Sequence, residues 1–386
     1  MRLDAEWLSR PDVRAVVEAL GRACYFVGGC VRNTLLGEPV TDIDLTTPLV
    51  PDDVVRRLEA AGIKAVPTGI EHGTVTAVAE GAGHEITTFR ADVETDGRRA
   101  VVRFSGDLAE DAARRDFTMN ALYADPGGEI IDPVGGLSDL RARRVRFIGD
   151  PHDRIREDYL RILRFFRFTA WYGATIDADG LAACAELAEG VERLARERIG
   201  HEMRRLLAAP NPAPAVASMA QAGVLMRCLP GADPASLAPL VHLEGESGAP
   251  PDWLRRLAAL GGEAPEAQLR LSRAEAKELE TIRSLLAEPL PLAVAAHEHG
   301  ARAARAMALV AAAGGAPLPA NPEAEIAHGV AAVFPLAGAD LVAAGLRPGP
   351  RLGAALDAAK RRWIESGFAL DKSALLGEAV SKGQAR

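Results

Sequence analysis

The residues best able to do chemistry stand close together in YFVGGCVRNTLLGEPVTDIDLTT, residues 25–47: Gly28, Gly29 and Arg32, then Asp42 and Asp44, with 12 residues between Gly29 and Asp42. A Gly-Gly turn after an apolar strand lets the backbone come close to a ligand. A short helix behind it aims its first amides, and Arg32, at the same place, which suits an anion. Asp42 and Asp44, flanked by Ile43 and Leu45, alternate as a strand does, so both carboxylates point to one side. Two hard oxygen donors beside an anion pocket are what magnesium and a nucleotide need. Either half alone is commonplace; the ordered combination carries the information.

Further along, Glu85 in HEITTFR can join the acidic pair from a neighbouring strand as a third carboxylate. In a two-metal displacement one metal would acidify the attacking hydroxyl and the other would neutralise a triphosphate. In DAARRDFTMNALYAD, residues 111–125, Arg115, Asp116 and Asn120 are read onto a helix near 107–123, Asp116 and Asn120 on one face with Phe117 inward. They offer a charge for phosphate and an acceptor for a ribose hydroxyl. In DPHDRIREDYLRILRFFRF, Asp150 and Pro151 start a helix on which Asp158, Arg161 and Arg164 recur every three residues along one side. Asp158 can accept from the amino group of adenine or cytosine while Arg161 donates to the ring nitrogen, a pattern guanine and uracil lack.

The elements that must position these groups change character once. Up to about residue 148, strand-like and helix-like segments alternate: helices at 11–21, 30–36, 51–61 and 107–123, and strands at 24–28, 42–46, 74–80, 85–90, 100–104, 129–131 and 144–148. This predicts an α+β domain on a mostly antiparallel sheet, with IIDPVGGLSDL joining it to the helices beyond. After Asp150 only helical periodicity remains, broken by Pro/Gly-rich stretches at 229–239, 245–252, 313–322 and 347–351. No fixed repeat is present, and the alanine runs read as helix packing surfaces.

Composition sets the frame. The chain of 386 residues has room for two or three domains, and its net charge of -8 does not itself favour a nucleic acid. Arginines are nevertheless dense at 154, 156, 161, 164 and 167 and again at 193, 196, 198, 204 and 205. A phosphate senses such a face locally, within a Debye length of about 10 Å. The four cysteines, Cys24, Cys30, Cys184 and Cys228, lack metal-site spacing and read as reduced thiols of a cytoplasmic protein. The N-terminus shows no signal-peptide core, and no run of about 20 apolar residues suggests a membrane span. No stable protein partner is evident.

The Gly-Gly turn followed by Asp-x-Asp resembles the signature of the nucleotidyltransferase superfamily typified by DNA polymerase beta. The ordered set GGCVRNTLLG, DID, RRDFTMNAL, DPVGGLSDL, EDYLRILRFFRF and ERIGHEMRRLL, over roughly residues 24–206, resembles bacterial class II CCA-adding tRNA nucleotidyltransferases and their poly(A) polymerase relatives. The resemblance implies a polymerase-beta-like catalytic head at 1–148, a helical neck at 149–210 that reads the nucleobase, and a helical body and tail at 211–386 holding tRNA. It implies that Asp42 and Asp44 bind Mg2+. Gly28, Gly29 and Arg32 would meet the triphosphate; Arg115, Asp116 and Asn120 the sugar and phosphates; Asp158, Arg161 and Arg164 the base of ATP or CTP and its surroundings. Glu197, Arg198 and Glu202 match a motif that steadies the neck.

The implied reaction is attack of an RNA 3'-hydroxyl on the α-phosphate of CTP or ATP, with pyrophosphate released. Poly(A) polymerase, an enzyme adding only C or only A to tRNA, and a non-catalytic RNA-binding protein are the alternatives. The segment 90–104 resembles a loop of the complete CCA-adding enzymes. One departure stands out: Asn33 follows Arg32 where the family usually has an acid, which leaves an acceptor without its charge. His152-Asp153 reads as helix capping, and His297 and His299 read as surface residues.

Overall fold

The computed structural model describes residues 1–70, 73–96 and 99–384. The chain divides into two units, Met1–Pro234 with Gly262–Arg270, and Ala235–Gly261 with Leu271–Arg386. The first begins with α1 (Pro11–Leu20), β1 (Tyr25–Val27), α2 (Gly29–Leu36), β2 (Leu45–Thr47), α3 (Pro51–Ala60), β3 (Lys64–Gly69), β4 (Thr74–Ala79) and β5 (Ala82–Thr88). It continues with β6 (Arg90–Asp96), β7 (Arg99–Phe104), α4 (Leu108–Ala113), β8 (Tyr123–Ala124), β9 (Ile130–Ile131) and α5 (Gly136–Arg141). Seven strands form one sheet in the order β3-β4-β5-β2-β1-β8-β9, while β6 and β7 pair apart from it. Every pairing in the large sheet is antiparallel except that of β2 with β5. The tip of the 90–104 hairpin, residues 97 and 98, lies outside the described residues.

Local chemistry accounts for these elements. Pro11 and Pro51 open α1 and α3, where the missing amide costs nothing. Glu80 and Gly81, both at positive φ (48° and 80°), close the tight β4–β5 turn. Asp132 holds the first turn of α5 by accepting from the Gly136 and Leu137 amides at 2.7 and 3.0 Å. A Cβ on Gly136 would lie 2.2 Å from the Thr118 carbonyl oxygen, so glycine is required there by contact.

The helical part of this unit carries α6 (Pro151–Glu157), α7 (Leu160–Tyr172), α8 (Ala178–Glu186) and α9 (Arg196–Leu207). Asp150 caps α6 through the amides of His152 and Asp153, as expected, and His152 turns to Glu186 at 2.9 Å. Phe165 and Phe168 of α7 pack on Phe117 at ring distances of 6.4 and 5.2 Å, and Phe147 stacks on Phe165 at 5.5 Å. This aromatic cluster ties the sheet to α7.

Four expectations are corrected. The helix near 107–123 ends at Ala113, and a 3-10 turn at Thr118–Asn120 replaces its second half. Burial of Phe117, Met119, Ala121 and Leu122, at 0% exposure each, exceeds what one helix face can hide. No strand forms at 144–148; Phe147 makes only an isolated bridge to Phe117. The acidic pair precedes β2, whose ladder starts at Leu45, although Ile43 and Leu45 are buried and Asp42 and Asp44 exposed, so the alternation itself holds. The neck is two helices, because Asp158 adopts φ -154°, ψ 107° and interrupts it.

The second unit is helical throughout. Its longest helix, Leu292–Ala313, buries Ala295, Ala303, Ala304 and Ala306 and bends at Gly300, φ 85°. Its buried charges neutralise one another: Glu244 holds Arg255 at 2.6 Å and Arg256 at 2.7 Å. His297 departs from the surface reading, since it is half-buried and its ring lies 5.4 Å from Trp363 and 5.2 Å from Phe368. All four cysteines are free and buried. No helix among the described residues is long and apolar enough to cross a membrane.

Candidate active site

The turn between β1 and α2 is built as its residues demand. Gly28 sits at φ 69°, ψ -114°, open to glycine alone without strain, and its carbonyl accepts from the Arg32 amide at 2.9 Å. A Cβ on Gly29 would meet nothing within 4 Å, so the space over the first turn of α2 is clear. The Val27 amide donates to the Asp44 carbonyl at 3.1 Å and thereby fixes the acidic segment beside this turn.

A cavity of about 740 Å³ brings these parts together. Asp42, Asp44 and Glu85 line it, as do Gly28, Gly29, Arg32, Arg115, Asp116, Asn120 and Arg164. The parallel register pairs Leu45 with Ile86, which sets Glu85 level with Asp44 on the same sheet face. Water reaches Asp44 from the cavity, yet its recessed setting raises the carboxyl above its ordinary range by desolvation, and the charges of Glu85 and Asp42 add to this against the pull of Arg115. Crowded acids of this kind gain from a cation. Among the described residues no three carboxylates, imidazoles or thiols form a ready-made metal cluster. Carboxylates that share a cavity with arginines nevertheless suit a divalent cation that takes few protein ligands and completes its shell with ligand oxygens and water.

The cavity is also lined by arginines, and most of them are braced. Buried Asp111 binds Arg114 and Arg115, the latter at 3.1 Å, and accepts from the Tyr123 hydroxyl at 2.8 Å. Asp116 accepts from the Phe117 amide and the Asn120 amide group through Oδ1, at 2.8 and 3.0 Å. Its Oδ2 accepts twice from Arg164, at 2.7 Å from Nε and 2.5 Å from Nη2. Burial alone would raise this carboxyl, but Arg164 and Asn120 outweigh it and lower it to about 2. Asn120 in turn accepts from Arg32 Nη1 at 2.6 Å. Asp116 and Asn120, expected on one helical face, are thus bonded to each other, across the 3-10 turn instead of along a helix.

Asp158 and Arg161 do not line the cavity with the others. The helix break turns Asp158 back to cap α7, accepting from the Leu160 amide at 3.1 Å, and Arg198 holds its carboxylate at 2.6 Å. Arg161 bonds Glu157 at 2.5 Å and the carbonyls of Arg154 and Arg114 at 2.9 and 3.0 Å, clamping the end of α4. Of the last motif, Arg198 and Glu202 brace the neck, Glu202 through Arg167 at 2.5 Å, whereas exposed Glu197 reaches Arg270 at 3.3 Å.

Asp111, Tyr172 and Trp171 went unremarked in the sequence. Asp111 stands three and four residues before Arg114 and Arg115, a spacing that could have revealed it. Tyr172, a cavity residue that accepts from Arg32 Nη2 at 2.8 Å, has no local signal because its partner lies 140 positions away.

Comparison with known proteins adds a second line of observation. A family profile described as "Poly A polymerase head domain" matches residues 24–146, and one described as "Probable RNA and SrmB- binding site of polymerase A" matches 173–236. The CCA-adding enzyme of Lacticaseibacillus paracasei is 33% identical across the whole of both chains. That of Leuconostoc citreum is 38% identical over 69% of this chain, which spans 62% of that relative's length. Among solved structures, the Bacillus stearothermophilus CCA-adding enzyme in complex with CTP is 28% identical, with a TM-score of 0.72 over 98% of this chain and 99% of that one. A Thermotoga maritima CCA-adding enzyme complexed with tRNA, 19% identical, shares the fold at a TM-score of 0.72.

Proposed function

The chain belongs to the family of CCA-adding enzymes, and from that premise we propose that it adds C, C and A to the 3' end of tRNA from CTP and ATP, without a template. The observation that carries this reading is the shared cavity, lined by Asp42, Asp44 and Glu85 together with the glycine turn and Arg32, Arg115 and Arg164. In the reaction the RNA 3'-oxygen bonds to the α-phosphorus, the bond to the β-phosphate oxygen breaks, and pyrophosphate leaves.

The Gly29 side of the turn and Arg32 receive the phosphate chain, since the first amides of α2 and a guanidinium converge there. Arg115, beside the glycine turn, and Arg164 meet the same chain, held in place by Asp111 and Asp116. All four acceptor positions of Asp116 are taken by its present partners, so its first task is to aim Arg164 and Asn120; a ribose hydroxyl reaches it only by displacing one of them. Asp42 and Asp44, with Glu85 beside them, would hold Mg2+. Such a cation acidifies the attacking hydroxyl and offsets phosphate charge. Asp158 and Arg161 are proposed to read the base edge, Asp158 oriented by Arg198 and Arg161 one turn before Arg164.

The helical residues 211–386 are proposed to hold tRNA, with residues 1–148 as catalytic head and 149–210 as neck. Four reduced, buried thiols support a cytoplasmic setting. The test offers the purified protein each nucleotide singly, with tRNA lacking CCA, tRNA ending in CC, or an unrelated RNA. Two C additions to the first tRNA and one A addition to the second support the proposal. Long adenylate tails on any RNA would reassign it to poly(A) synthesis.

A further inference from the structure

Asp158 owes its position to a break in a helix. With φ -154° and ψ 107° it stands extended between α6 and α7. Holding one such residue in a single conformation costs entropy that neighbouring contacts must offset. Its carboxylate, 25% exposed, is only partly occupied. Oδ1 accepts from the Leu160 amide at 3.1 Å and from Arg198 Nη1 at 3.2 Å, and Oδ2 accepts from Arg198 Nη2 at 2.6 Å. These partners leave one acceptor position on Oδ2 for the amino group of adenine or cytosine.

The next residue holds the break. Tyr159 leads into α7 half-buried, and its ring lies on the main chain of Gly190. A Cβ on Gly190 would stand 1.8, 2.0 and 2.4 Å from Cδ1, Cε1 and Cγ of that ring, where ordinary contact begins at 3.4 Å. Gly190 is buried and is not among the glycines at positive φ, so the ring's contact, not a torsion, demands glycine there. It belongs to a 3-10 helix, Ala188–Arg193, in which residues three apart share a face. Exposed Arg193, three residues on, accordingly brings its guanidinium carbon to 5.4 Å from the centre of the same ring.

We infer that Gly190 is a seat for Tyr159, and that the two are positioning residues for base discrimination, fixing the helix break so that Asp158 Oδ2 meets an amino donor at a set angle. The inference rests on Asp158 reading the base. Uracil and guanine present an acceptor where cytosine and adenine present the amino group, so the difference between right and wrong bases depends on how firmly that oxygen is aimed. A methyl group on Gly190 displaces the ring, and with it the residue that precedes it.

The test measures kcat/KM for CTP and for UTP with full-length protein on tRNA lacking CCA. Both nucleotides are read on one preparation, so their ratio is independent of the folded fraction and a purely structural role would not move it. Gly190→Ala is expected to lower the preference for CTP about tenfold, within what one base contact supplies, and Tyr159→Ala about threefold. Tyr159→Phe keeps the ring and should keep the wild-type ratio. In the Tyr159→Ala background, Gly190→Ala should add nothing, because the methyl group then enters vacated space. Should Gly190→Ala fail to fold, the comparison of Tyr159→Ala with Tyr159→Phe decides alone. Wild-type ratios in folded Gly190→Ala or in Tyr159→Ala, or a Gly190→Ala effect that persists in full without the ring, overturn the inference. Full selectivity in Asp158→Asn would instead remove the base-reading role of Asp158, and wild-type protein that does not incorporate CTP would remove the proposed function.

Discussion

Two groups of charge in this chain solve the same problem in opposite ways. Around Glu244 a carboxylate and two arginines, all at most 3% exposed, complete one another and face no ligand. Around Arg32 and Asp44 the charges are held in place but not cancelled: the arginine has only neutral partners, and the acid has only acids at its side with Arg115 beyond. A protein that wanted only stability would have no reason to keep the second arrangement. Folding supplies the means to hold it, and on the proposed function a polyanion bound with a cation would supply the compensation.

The sharpest way to break this comparison is to remove charge from each side. Asp42→Ala or Asp44→Ala should lower nucleotide transfer to tRNA by about 10³-fold or more, as loss of metal-supported charge stabilisation does. Because both side chains are exposed, the thermal midpoint should stay close to wild type. Glu244→Gln should do the reverse, costing about 3 kcal/mol in denaturant unfolding while leaving KM for CTP unaltered. A stability loss in the first pair, or a KM effect in the second, would erase the distinction between the two groups.

Selectivity is expected to respond next. Asp158→Asn keeps an acceptor and adds a donor, and should relax discrimination against UTP and GTP by about 1 to 3 kcal/mol, read as ratios of kcat/KM. Full selectivity in this variant would show that Asp158 serves only to cap α7 and hold Arg198.

Acid titration separates Asp116 from Asp44. The folded-state value of Asp116, about 2, lies below the value of about 3.9 for an unfolded chain. Its contribution, about 2 kcal/mol, is therefore complete above pH ~4 and lost as pH falls toward ~2. An Asp116→Asn variant should show a flatter stability profile in that window. Asp44 is shifted the other way, by burial and then by Glu85 and Asp42, so in metal-free protein it should take up its proton at a higher pH than an ordinary aspartate, read by carboxyl chemical shift. The smallest stability change is expected at Gly29→Ala, under about 1 kcal/mol because its Cβ meets nothing and its φ is ordinary, with the effect appearing in KM for CTP.

Much of the site was legible where its chemistry is local. Gly28, Gly29 and Arg32 share one turn and helix, and the acids at 42 and 44 announce themselves through the buried Ile43 and Leu45 between and beside them. Glu85 was reachable because strands and their faces can be read by alternation. What failed was adjacency that depends on a break. Asp158 shares a side with Arg161 and Arg164 only if the helix is continuous, and its extended backbone turns it instead to the Leu160 amide and Arg198, while the two arginines keep their spacing on α7. The helix expected near 107–123 failed for a related reason, since core burial overrode a plausible helical spacing after Ala113. Tyr172 was invisible because nothing in α7 refers to α2; only the fold brings its hydroxyl to Arg32.

Where a divalent ion and a phosphate chain settle is the most direct test of uncancelled charge as the basis of catalysis. Crystals grown with CTP and Mn2+, measured by anomalous scattering, should show a metal peak about 2.1 Å from carboxylate oxygens of both Asp42 and Asp44, with the triphosphate between Gly29 and Arg32. A metal peak elsewhere, or a triphosphate that leaves Arg32 without an anion, would contradict it.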